Sequence, residues 1–124
     1  MNAILTITSE NQPDFVQKQC SRQDLVDAIH SVAGREDAIV TLTFEEPING
    51  LCSCQVLYVS PDLARCLGYF LFEQNTPQWR AGSTHMPVSR FLAYLDGVFA
   101  GNLPDMTDWE IYLDEQRCPS VNLG

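Results

Sequence analysis

Cys52-Ser53-Cys54 sets two sulfurs two residues apart. On a strand, residues i and i+2 share a face, so the pair, with Cys66 and a histidine, offers a thiolate and imidazole set of the kind zinc takes. The spacing is not the paired C-x-x-C that marks a zinc site in sequence. Val56 and Tyr58 continue the same face, which therefore reads as buried, and free cysteine is a common small core residue. Core packing is the expected role of the pair, and no metal or other cofactor is expected. His30 falls beside the apolar Ile29, and His85 ends the polar run Gly82–His85, read as a loop. A Cys–His nucleophile pair can be drawn on paper. No local sequence around any Cys or Ser supports one, and G-x-S-x-G, H-E-x-x-H and G-x-x-x-x-G-K are all absent. A protein without catalytic residues is the expectation.

The acids are more informative. Sixteen Asp and Glu stand against seven Lys and Arg, a net charge of −9. They are also sorted. Asp96, Asp105, Asp108, Glu110, Asp114 and Glu115 fall between Phe91 and Gln116 with no Lys or Arg among them. Trp109 and Tyr112 sit in the same run, and Glu45-Glu46 forms a second group. Two readings stand side by side. Charges on a solvated edge strand suppress pairing with other chains. Alternatively, the run is an interface in which aromatics supply contact area and carboxylates select Arg or Lys. On that second reading the partner-binding candidates are Asp105, Asp108, Glu110 and Tyr112, together with Glu45 and Glu46. A −9 chain repels phosphate, so direct nucleic-acid binding is not expected. It attracts a cationic protein and speeds the encounter.

The elements that must position these residues follow from periodicity. Ala3–Thr8 reads as a strand and Ser9–Cys20 as a polar segment. Ser21–Gly34 reads as a helix, with Ser21 and Asp24 as a capping pair, Leu25, Ile29 and Val32 on one face, and Gly34 at its end. Ala38–Phe44 alternates as a half-buried strand, with Val40, Leu42 and Phe44 facing one way. Glu45–Gly50 reads as a turn around Asn-Gly. Leu51–Val59 and Leu63–Phe72 read as further strands, separated by the turn Ser60-Pro61-Asp62. A short edge strand is expected at Gln78–Gly82 around Trp79. Ser89–Ala100 reads as a helix capped by Ser89 and ended by Gly101, with Phe91, Leu92, Leu95, Val98 and Phe99 as its apolar stripe. Trp109–Leu113 is the last strand. The order β-α-β-β-β-(β)-α-β implies one α+β domain over residues 1–124, an antiparallel sheet of about five to six strands with two amphipathic helices.

The odd count of five cysteines argues against a complete disulfide framework. The start, MNAILTITSENQ, lacks the basic segment and long apolar core of a secretory signal. No run approaches the roughly 20 apolar residues of a membrane span. A reduced cytoplasmic setting without a membrane partner is expected.

The C-terminal order of Pro87, Ser89, Phe91, Leu92, Leu95, Phe99, Gly101, Leu103, Pro104 and Trp109 resembles family one of the immunity proteins of bacterial polymorphic toxin systems (Imm-one). There a helix ends in Gly-x-x-Pro and leads to a Trp-bearing final strand. The match covers roughly the last third of the chain, and the upstream part is similar in layout. Asp96 and Gly97, and the extension over residues 114–124, depart from the pattern. The resemblance implies a protein that binds a cognate toxin domain, often a nuclease or nucleic-acid deaminase, and occludes its active site. A rival from the residues alone is an acidic, non-enzymatic adaptor or mimic that binds some other basic protein.

Overall fold

Alternation of apolar and polar residues builds the sheet, and two helices close one of its faces. The computed structural model describes residues 2–10, 12–73, 80–102 and 110–111, with 12–14, 80–85 and 110–111 described by backbone alone. The elements are β1 (Ala3–Ser9), β2 (Gln12–Lys18), α1 (Arg22–Ser31), β3 (Ile39–Ile48), β4 (Leu51–Leu57), β5 (Cys66–Phe72), β6 (Arg80–Met86), α2 (Val88–Phe99) and β7 (Glu110–Ile111). The described strands form one antiparallel sheet of seven, in the order β2-β1-β3-β4-β5-β6-β7. The fold is therefore α+β, an antiparallel sheet with two helices.

The core lies on one side of the sheet. Ala3 and Leu5, then Val40, Leu42 and Phe44, then Cys54 and Val56, then Cys66, Phe70 and Phe72 are buried there. They meet Leu25, Ala28, Ile29 and Val32 around α1, and Phe91, Leu95 and Val98 of α2. Phe91 sits against Phe70, with ring centroids 5.0 Å apart, and Phe99 meets Phe44 edge-on at 5.9 Å. Gly68 makes the first contact possible. A Cβ at that position would lie 2.6 Å from Cδ1 of Phe91.

Helix ends show which local signals were used. At α1, the Asp24 amide donates to Ser21 Oγ at 3.1 Å and the Ser21 amide to Asp24 Oδ2 at 2.7 Å, the reciprocal box expected of this pair. The helix stops at Ser31, short of the expected Gly34, and the Gly34 amide instead donates to the Val59 carbonyl at 2.7 Å. At α2, Ser89 is not the cap. Pro87 occupies that position without a side-chain bond, and the Val88 amide donates to the Leu63 carbonyl. A loop carbonyl thus takes the place of a capping hydroxyl. Beyond Phe99, Gly101 takes φ +84°, and the Asn102 and Gly101 amides return to the Gly97 and Val98 carbonyls, a Schellman closure.

Four strand expectations change. Ser9–Cys20 contains β2, whose only large apolar residues, Phe15 and Val16, are adjacent and so carry no period-two signal. β3 runs on through Glu45–Ile48, and the turn shrinks to Asn49-Gly50, both at positive φ as a type I′ hairpin requires. β5 begins at Cys66, not Leu63. Leu63 is left-handed, and the loop before Cys66 closes with the Arg65 amide donating to Ser60 Oγ and the Ser60 amide to the Arg65 carbonyl. β6 spans Arg80–Met86 between β5 and β7, so it is internal, and His85 lies in a strand rather than a loop. Trp79 lies outside the described residues. So does most of the expected last strand, of which Glu110–Ile111 is seen as β7.

The two inner glycines give opposite expectations. Gly68→Ala should lower stability by about 1–3 kcal/mol, because the new methyl overpacks against Phe91. Gly97→Ala should be neutral or stabilising by up to about 1 kcal/mol, since its Cβ would meet only the Asn102 carbonyl at an ordinary 3.6 Å. Urea midpoints of the two variants check this. Equal midpoints would show that Phe91 yields freely at Gly68.

Candidate functional site

Glu45 and Glu46 are exposed and stand in a bulge. Thr43 pairs with Ser53 and Ile48 with Leu51, so Phe44–Pro47 of β3 face Cys52 alone on β4. Such bulges bend a strand and re-aim its side chains. The segment is nevertheless anchored. The Glu45 amide donates to the Asn2 carbonyl at 3.0 Å, and the Asn49 side chain donates to the Val98 carbonyl at the end of α2. Exposed Glu73 belongs to the same end of the sheet, its amide 2.7 Å from the Gly50 carbonyl.

Glu110 is placed elsewhere. It stands on β7, paired with Gly82, in a row that continues through Tyr69, Gln55, Thr41, Thr6 and Val16. β3 and β7 are four strand spacings apart, or roughly 19 Å. One side of a standard interface covers about 800 Å², so a single partner can span both. Asp105, Asp108 and Tyr112 lie outside the described residues. Asp96 is not one of the bare acids: Arg22 at the start of α1 grips it with two bonds of 2.6 and 2.9 Å. A stretch free of bases in sequence has one beside it in space.

The described thiols do not share one environment. Cys54 and Val56 are buried as expected, but Cys52 is half-buried beside the bulge and Tyr58 is exposed. The register slip between Leu51 and Ser53 breaks the alternation at Cys52, and the strand ends before Tyr58, which is left-handed at φ +50°. Burial pushes the Cys54 thiol up to about 12 and the Cys66 thiol up to about 11, from an ordinary 9.0. Cys20 is raised by burial and then by the Asp24 carboxylate, and Cys52 by burial and then by Glu73. Each shift is in the direction that weakens a thiolate nucleophile. Among the described residues no three His, Cys, Asp or Glu side chains gather as metal ligands, and no helix is long and apolar enough to cross a membrane.

Two surface hollows were not foreseen. One, of about 660 Å³, lies at the sheet end opposite Glu45 and is lined by Gly34, Tyr58, Pro61, Arg65 and Leu67 among others. The other, of about 370 Å³, runs between α1 and the β1–β2 hairpin, lined by Leu5, Ile7, Phe15, Gln17, Asp24 and Asp27 among others. Phe15 in its lining is 50% exposed, and Val16, on the opposite face of β2, is 55% exposed. The available signal was this adjacent pair of large apolar residues in a polar run. No protein-family model, curated protein or solved structure matches the chain.

With Cys118 replaced by Ser, a thiol reagent at pH 7.5 should leave Cys20, Cys54 and Cys66 unlabelled in the folded protein and label Cys52 slowly. Fast labelling of any buried thiol would show an activated cysteine. The raised pKa values also set a pH trend. The folded state holds these protons more tightly than the unfolded chain, so their contribution is full below about pH 9 and is lost as pH climbs toward 11–12. A urea midpoint lower at pH 10 than at pH 7.5 is expected.

Proposed function

We propose that the chain is an immunity protein that neutralises a cognate bacterial toxin domain by direct binding and occlusion of its active site. The toxin acts on nucleic acid, as a deaminase or a nuclease. Such an enzyme presents a basic surface to its substrate, and an acidic protein can occupy it, excluding phosphate by position and by charge. The observation that carries this reading is the −9 chain charge joined to Glu45 and Glu46, held outward on an anchored bulge. The C-terminal resemblance points the same way. Glu110, Asp105, Asp108 and Tyr112 form the second part of the contact. The chain performs no chemistry and uses no cofactor. The raised thiol pKa values support this, and neutralisation takes place in the cytoplasm of the producing cell.

The test is to express the chain with the toxin domain encoded beside it. A one-to-one complex and protection of the host are expected. The double variant Glu45→Lys, Glu46→Lys should weaken the complex about tenfold or more at low salt, since each reversal turns a favourable charge contact into a repulsive one. Unchanged affinity would remove these two acids from the interface. No complex and no protection would defeat the immunity reading and return the chain to the adaptor alternative.

A further inference from the structure

Among the described residues β2 is an edge strand, and the hydrogen-bond register shows which of its groups point away from the sheet. The Gln19 amide donates to the Ala3 carbonyl at 2.9 Å and the Glu45 amide to the Asn2 carbonyl. In an antiparallel ladder the bonded pairs alternate. Odd residues of β1 therefore bond toward β2, and even residues toward β3. With Leu5 opposite Gln17 and Ile7 opposite Phe15, Gln17 and Phe15 bond inward. Val16 and Lys18 direct their backbone N–H and C=O groups outward, where no described strand pairs with them.

Edge strands are ordinarily guarded by Pro, Lys or a cover. Here Pro13 and Lys18 stand at the two ends of β2, but Phe15 and Val16 between them are half-exposed. On the helix side the strand borders the groove whose walls are Leu5, Ile7, Phe15 and Ala28, with Asp24 and Asp27 on α1. Asp24 is engaged, accepting from the Ser21 amide and from Gln17 at 3.0 Å. Asp27 is exposed and accepts from Gln23 at 2.9 Å.

We propose that the outer edge of β2 and the adjoining groove take an extended, basic segment of the partner protein as an added strand. Main-chain bonds to Val16 and Lys18 hold it, as in other cases of strand addition. Alternate side chains fall beside Phe15 and the Asp27 carboxylate, where Arg or Lys fits, and the others lie beside Val16. A second copy of this chain is the wrong occupant, because pairing two β2 edges would bring two −9 chains and two sets of α1 carboxylates together. The inference rests on the reading of the partner as a cationic protein.

The probe is a blocked eight-residue peptide of alternating arginine and valine, titrated at low salt into the isotopically labelled full chain and followed by amide NMR. A counterpart with glutamate for arginine is the control. The arginine peptide should shift the amides of Phe15–Lys18 and slow exchange of the Val16 amide, while the glutamate peptide should not bind. Val16→Pro removes an outward N–H but no inward bond, a substitution edge strands tolerate, and should weaken binding about tenfold. Asp27→Lys, which leaves the strand untouched, should weaken it similarly and carries the test if Val16→Pro fails to fold. Shifts centred on Glu45–Gly50 instead would overturn the edge inference while leaving the cationic-partner reading intact. So would no shift from a chain that still captures its toxin. Val16 protected without peptide, in a dimer, would give the edge to a second copy and also overturn it. Failure to capture any toxin is read separately and counts against the proposed function.

Discussion

Phe91 lying on Gly68 decides which side of the sheet is inside. No side chain at residue 68 intervenes, so the α2 ring reaches the β5 backbone and stacks edge-on against Phe70. Burial of a phenylalanine is worth about 1.5–3 kcal/mol, and this one organises the rest. Leu95 and Val98 follow it onto the same face, and α1 fills the neighbouring area with Leu25 and Ile29. The Arg22–Asp96 pair joins the two helices at the surface. It contributes at most about 1 kcal/mol as an exposed ion pair, but it spends an acid that sequence alone left free. Both described helices take one face, and the outer edge of β2 has no described strand beside it.

That division gives function its setting. The acids at Glu45 and Glu46 are not on a floppy turn. Their strand is tied to Asn2 on one side, and the hairpin tip is tied to the end of α2 through Asn49. Carboxylates held in this way bind a cation with less ordering cost than mobile ones. The opposite logic governs the thiols. Their environments raise the pKa, chiefly by desolvation, which suits packing and opposes nucleophilic chemistry. Glu45 and Glu46 face water, while Cys20, Cys54 and Cys66 are buried.

Much of this architecture was legible before any coordinates. Val40, Leu42 and Phe44 alternate because one face of β3 is buried against the helices and the other carries Thr41 and Thr43, and Ser21 with Asp24 spells a cap because both bonds are local. The failures have physical causes as well. β2 has one neighbour among the described strands and carries its apolar residues side by side, so periodicity is silent there. The α2 start departs from the local signal because the Leu63 carbonyl, distant in sequence, does the work expected of Ser89. The Cys52 face failed because a bulge shifts the register, and bulges have no reliable sequence signature. Of the six candidate partner residues, Glu45 and Glu46 stand together and Glu110 stands on a separate strand. The pairing of Asp96 with Arg22 shows why charge sorting along a chain does not transfer directly to a surface.

The proposed immunity function depends on charge steering this −9 chain to a cationic partner. The most direct measurement is the association rate with the captured toxin domain, by stopped flow, across ionic strength. Steering by charge requires a rate that falls steeply, by about tenfold or more, between ~0.02 M and ~0.5 M salt, with dissociation changing much less. A rate that stays flat across that range would contradict it and leave the acidity as a matter of solubility alone.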